Sequence, residues 1–154
     1  MAIYLDPKEE ALATAIFEPK EMDGLVLRTL RPDDYNAGFC ELLGQLTTMG
    51  EIPFEFFERR MHEIEASKRQ YMLVIEDTET GQIVATGTLL IERKFIHQAG
   101  LAGHIEDVGV HSFYSTRELF SPFQNICVPL FLLHHTVALS DSSVRYCHDD
   151  IVVF

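Results

Sequence analysis

A chain of 154 residues, 47% hydrophobic and 23% charged, has the size and balance of one globular domain that buries about 70% of the surface its unfolded form exposes. Its formal net charge of −12 argues against nucleic acid or an anionic membrane as partner, because neutralising phosphates requires a clustered basic surface. Three cysteines without CxxC spacing, Cys40, Cys127 and Cys147, suit free thiols in a reducing compartment better than a disulfide framework or a zinc site.

The opening stretch lacks the basic and apolar regions of a signal peptide. From Met1 to Gly24 it is acidic and punctuated by Pro7 and Pro19, and it reads as an N-terminal arm, residues 1–24. Leu25 to Leu30 predicts a first strand. Pro32 suits the first turn of a helix, and Tyr35, Phe39, Leu42, Leu43 and Leu46 continue at amphipathic spacing. A second helix is expected from Pro53, with Phe54, Phe57, Met61 and Ile64 on one face and Glu58, Arg59, Glu63 and Glu65 on the other.

Tyr71 to Ile75 is a continuous apolar run, as in a central strand covered on both faces. Thr78 to Gly81 then predicts a hairpin turn before a strand from Ile83 to Arg93. A loop from Gln98 to Gly103 leads to a further strand, Ile105 to Val110. The pattern is a mixed α/β fold, a mostly antiparallel sheet with flanking helices. Beyond Val110 periodicity is lost, and residues 111–154 read as a divergent tail. Its apolar run Ile126 to Leu139 is too short for a membrane span and holds Pro129, His134 and His135. A cytoplasmic setting is the expectation.

Several residues could carry chemistry. Glu106 and Asp107 interrupt an apolar strand, and alternation sends adjacent side chains to opposite faces. They fit either an edge-strand solubility device or recognition of hydroxyl and amino groups. Lys94 and His97, at the end of the preceding strand, can donate to phosphate. His97, His104 and His111 are evenly spaced, but equal spacing along a chain does not make ligands converge, so no metal is expected. Thr47 and Thr48 read as a local helix cap.

The segments LGQLTTMG (Leu43 to Gly50), GQIVATGTLLIERKFIH (Gly81 to His97) and GHIEDVGV (Gly103 to Val110) together resemble the glucosamine-6-phosphate N-acetyltransferase family of the GNAT superfamily. The resemblance runs from about Val26 to Val110, and residues 25–110 are assigned to that domain. It implies an enzyme that transfers acetyl from acetyl-CoA to the amino group of glucosamine 6-phosphate, toward UDP-N-acetylglucosamine, without a metal. By position it implies sugar-phosphate contacts at Thr47, Lys94, Phe95, Ile96, His97, Glu106, Asp107 and Val108. Glu106 and Asp107 are the candidate catalytic carboxylates. Val108, Gly109 and Val110 match the strand whose backbone meets the acetyl and pantetheine end, and the family implies a homodimer with composite sites.

The chain departs from that pattern after Val110. The family's pyrophosphate loop, of the form Gln/Arg-x-x-Gly-x-Gly/Ala, falls on YSTRELFS (Tyr114 to Ser121), and no glycine occurs after Gly109. Close backbone approach to a pyrophosphate favours glycine strongly. The GNAT fold is therefore expected to be incomplete at the C-terminus. Ser115 to Glu118 can be encoded so that a one-base shift reads Gln-Arg-Gly, which makes an inactive frameshift or splice variant, with an interaction or regulatory role, the alternative to an active enzyme.

Overall fold

The computed structural model describes residues 13, 14, 16–114 and 137–139. Six strands form one sheet in chain order: β1 (Lys20–Met22), β2 (Leu25–Thr29), β3 (Gln70–Asp77), β4 (Ile83–Arg93), β5 (Leu101–Val110) and β6 (Val137–Leu139). The first five pair antiparallel, and β6 pairs parallel to β5 at Gly103 to Ile105. Between β2 and β3 lie a 3-10 helix (Pro32–Asn36), α1 (Phe39–Gly44) and α2 (Phe54–Ser67). A short α3 (Ile96–Ala99) lies between β4 and β5.

The apolar run of β3 is central, as its composition predicts. Tyr71, Leu73 and Ile75 join a core with Leu27, Leu89, Ile91 and Leu101 on one face. Val74, on the other face, packs with Phe39, Leu42 and Phe57 of the helices. Tyr35, Phe39 and Phe57 make ring contacts at 5.3 to 5.8 Å, so the aromatic spacing read along the sequence becomes the seam between helices.

Three expectations change. The single helix after Pro32 is two elements, because Gly38 takes a left-handed φ of +92° and the carbonyl of Ala37 accepts a 2.8 Å bond from the Ile83 N–H at the start of β4. The sheet thus takes a carbonyl that a continuous helix would have used. The expected loop from Gln98 to Gly103 is shorter, since β5 already begins at Leu101. The arm, residues 1–24, is described in part, and that part belongs to the domain: Ile16 is buried in the core, and Lys20–Met22 pairs with β2. Of the tail, 111–154, residues 115–136 and 140–154 lie outside the described residues, with most of the Tyr114 to Ser121 segment. The described part includes one strand, β6.

Arg28 is buried on β2 with 5% of its surface exposed, and Asp34 of the 3-10 helix keeps 2%. The guanidinium binds Asp34 through both terminal nitrogens, at 2.7 and 2.6 Å, and its Nε donates to Glu76 of β3 at 2.8 Å. Asp34 Oδ2 also accepts from the Arg31 N–H at 2.7 Å. Removing one member of such a network strands a buried charge. Asp34→Ala should therefore lose about 3–5 kcal/mol of stability in urea denaturation, and the double change Arg28→Met with Asp34→Leu should recover most of it.

Candidate functional site

The central feature is a bulge between β4 and β5. Thr86 pairs with Gly109 and Thr88 with Glu106, so Gly87 alone faces two residues, Asp107 and Val108. Asp107 takes a left-handed φ of +52°, as bulge residues do. The extra residue resets the alternation. Val108 and Val110 turn to the core face, where they pack on the first cluster, while Gly109 shares a face with Thr86, Thr88 and Glu106.

This corrects the expectation that Glu106 and Asp107 point to opposite faces. Asp107 Oδ2 lies 3.5 Å from the hydroxyl of Thr88, whose Cα partner is Glu106. Both carboxylates are exposed and sit on the same side of the bulge. Two acceptors beside irregular backbone can bind an ammonium or hydroxyls and receive a proton through water.

Gly109 is a position where a side chain would crowd its neighbours. A Cβ there would stand 3.2 Å from Leu46 Cδ1 and 3.4 Å from Thr86 Cγ2. Leu46 therefore rests on β5, and it carries Thr47 to the bulge end of the strand. The Thr47 N–H donates to the Leu43 carbonyl at 3.3 Å, closing the last turn of α1, and its side chain is exposed.

Lys94, Phe95, Ile96 and His97 occupy the opposite end of β5. The Lys94 N–H donates to the Gly100 carbonyl at 2.9 Å, and Phe95 and Ile96 are exposed. The side chain of His97 lies outside the described residues. Leu101 and Asp107 are six residues apart on an extended strand, about 20 Å. The structure thus gathers Thr47, Glu106, Asp107, Val108, Gly109 and Val110 at one end of the hairpin and Lys94 to His97 at the other. His104 and His111, seven residues apart on the same path, do not converge either.

Residues without a part in the sequence reading also appear. Glu92 binds Lys94 and His104, and the Tyr114 hydroxyl donates to Asp77 Oδ2 at 2.6 Å. A Glu-x-Lys pair at a strand end was the available signal for the first; the second is a long-range contact with no local signal. Two clefts lie elsewhere. One of about 440 Å³ runs between Phe17, Tyr71 and α2, and one of about 510 Å³ lies between α1 and α2 beside Met49 and Ile52. Neither is lined by β5.

The Tyr114 hydroxyl bond, with backbone bonds from Glu79 and Thr80, holds the Asp77 carboxyl below its ordinary range. Asp77 is thus more acidic folded than unfolded, so its contribution is present at neutral pH and is lost as pH falls through the folded value. Tyr114→Phe should therefore flatten the acid limb of a stability-versus-pH curve, as read by thermal denaturation from pH 2 to 7.

No protein-family model matches the chain. Glucosamine 6-phosphate N-acetyltransferase of Arabidopsis thaliana is 45% identical over 94 residues, 60% of this chain and 63% of the relative. A crystal structure of the Arabidopsis thaliana enzyme superposes with a TM-score of 0.71 at 36% identity, covering 79% of this chain and 84% of that one. An acetyltransferase of Trypanosoma brucei shares the fold, with a TM-score of 0.67 at 24% identity over 84% of this chain and 99% of that one. The chain spans 57% to 63% of the length of the first curated relatives it matches.

Proposed function

Because the chain belongs to the glucosamine 6-phosphate N-acetyltransferase family, with the GNAT fold, we propose that it carries the acceptor side of acetyl transfer from acetyl-CoA to glucosamine 6-phosphate, a cytoplasmic step toward UDP-N-acetylglucosamine. The bulge at Asp107 is the observation that carries this reading. It leaves irregular backbone beside two exposed carboxylates, and β6 pairs only with Gly103 to Ile105. Among the described residues, the outer edge of Val108 to Val110 has no strand partner. A pantetheine chain can bond to such an edge, and the N–H groups there can face a thioester oxygen.

In this reading the neutral sugar amine attacks the thioester carbonyl, and the tetrahedral oxyanion is held by strand N–H groups. The C–S bond then breaks, and the departing thiolate takes a proton. Glu106 and Asp107 orient the amine and accept its surplus proton, directly or through water. Thr47 and Val108 border the sugar. Lys94, Phe95, Ile96 and His97 lie about 20 Å along the hairpin from this point, farther than a monosaccharide phosphate reaches. Their sugar-phosphate role therefore requires a second copy of the chain, a homodimer in which each hairpin tip completes the partner's site.

The reading of this chain as an inactive variant with an interaction or regulatory role rests on a specific observation as well. No glycine follows Gly109, so the pyrophosphate has no glycine-supported cradle of N–H groups after β5, and Glu118 adds like charge. Purified alone, the chain should bind glucosamine 6-phosphate, bind acetyl-CoA weakly, and turn over far more slowly than a relative with the glycine loop. In calorimetry, Glu106→Gln should lose about 1.5–3 kcal/mol of sugar affinity. Thermal-shift titration with acetyl-CoA and a thiol-release assay complete the test. Saturable acetyl-CoA binding with family-like turnover overturns the inactive reading; unchanged sugar affinity in Glu106→Gln removes that carboxylate from the site.

A further inference from the structure

The β4–β5 hairpin places Glu92 and His104, two groups that the proposed acetyl transfer does not use, beside Lys94. Leu90 pairs with His104 and Thr88 with Glu106, so alternation puts Glu92, His104 and Glu106 on one face. Lys94, just past β4, returns to that face. Its Nζ lies 2.5 Å from Glu92 Oε2, and His104 Nε2 lies 3.2 Å from the same oxygen. One carboxylate oxygen thus serves two groups that can both be cations. The Glu92 side chain is 50% exposed, Lys94 28% and His104 22%, so the two cation-capable partners are more buried than the anion between them. Hydrogen bonds from Lys94 first and His104 second hold the Glu92 carboxyl below its ordinary range.

We propose that Glu92 is a positioning residue that governs Lys94, retaining its ammonium until a phosphoryl group arrives and releasing it when a protonated His104 takes over the carboxylate. This deepens the reading of Lys94 as a sugar-phosphate contact and rests on it. A phosphate approaching Lys94 also approaches Glu92, and the like-charge repulsion opposes binding. Neutral His104 offers Glu92 only a hydrogen bond, whereas the imidazolium balances its charge. Among the described residues, the charged groups on this face are Glu92 and Lys94 of the β4 end and His104, Glu106 and Asp107 of β5. Arg93 falls on the opposite face by alternation, and β6, Val-Ala-Leu, adds no titratable side chain. Affinity for a phosphorylated ligand therefore rises as His104 takes up a proton.

Calorimetry with glucosamine 6-phosphate across pH 5.5 to 8.5, on the full chain and on Glu92→Gln, His104→Gln and Lys94→Ala, tests this. The phosphate's own second ionisation, near pH 6, is common to all four proteins and cancels in ratios of Kd. Glu92→Gln should match the parent chain at acid pH and bind roughly two- to fivefold tighter at alkaline pH, the range that a partly exposed ion pair can hold back. His104→Gln should lose the parent's tightening at acid pH. Both replacements keep the side chain's size at partly exposed positions, and circular dichroism checks the fold. Equal affinity of Glu92→Gln and the parent at every pH, or weaker binding by Glu92→Gln, overturns the inference while Lys94→Ala still binds at least tenfold more weakly. If Lys94→Ala binds as the parent does, the phosphate reading of Lys94 fails and the inference falls with it.

Discussion

The way the chain leaves β2 for its helical segment depends on one buried guanidinium. Arg28 sits on β2 and reaches Asp34 in the 3-10 helix and Glu76 on β3, so three segments distant in sequence share one charge. A buried ion pair is weak evidence for net stability, because desolvation cancels much of the Coulomb gain. Its effect is geometric. Asp34 receives two guanidinium bonds and the Arg31 N–H, which fixes where the chain leaves β2 and how the helical segment crosses the sheet. The apolar seam of Phe39, Leu42 and Phe57 gains from burial, which has no preferred direction, whereas the bidentate fork of Arg28 fixes the angle at which Asp34 meets it.

From that anchor the path to the site is short. The Ala37 carbonyl is taken by Ile83, α1 starts afresh at Phe39, and its end delivers Leu46 to the bare backbone of Gly109. The bulge at Asp107 is what makes Gly109 face the helices at all. In a regular strand, residues 106 and 109 would lie on opposite faces; one extra residue puts them on the same face. Site and fold thus share a single irregularity. It turns Val108 and Val110 into the core and leaves two carboxylates outside.

Much of this was legible in the sequence, for a physical reason that also explains what was not. The uninterrupted apolar run of β3, the aromatic spacing of α2 and the turn at Thr78 to Gly81 are local patterns, and the strand from Ile83 to Arg93 follows them residue for residue. Asp23-Gly24 was a readable signal that the proline-punctuated, acidic stretch around it obscured: both residues have positive φ, and as a two-residue turn they pair β1 with β2. The break at Gly38 and the bulge at Asp107 follow from hydrogen bonds to residues far along the chain, and no local period encodes those. The grouping of GHIEDV with LGQLTTMG came from resemblance; the contact of Leu46 with Gly109 gives it a geometric basis.

Acceptor and donor sides of an acetyltransferase of this family place different demands on the chain. On the proposed reading, the acceptor side is built from the β3–β4–β5 meander, whose register is set by burial on both faces and by the bulge, so it depends on residues ending at Val110. The donor side needs close backbone approach to a pyrophosphate after β5, which only residues beyond Val110 supply. Here the chain from His111 to Tyr114 follows β5 as it must, with the His111 N–H bonded to the Val84 carbonyl at 2.8 Å and Tyr114 tied to Asp77. Those bonds fasten the segment to β4 and the β3–β4 turn, at the point where the family's loop would begin. The hairpin proposed to position an amine can therefore keep its register whatever follows Tyr114, because the interactions that define that register, apart from the short pairing with β6, lie within residues 16–114.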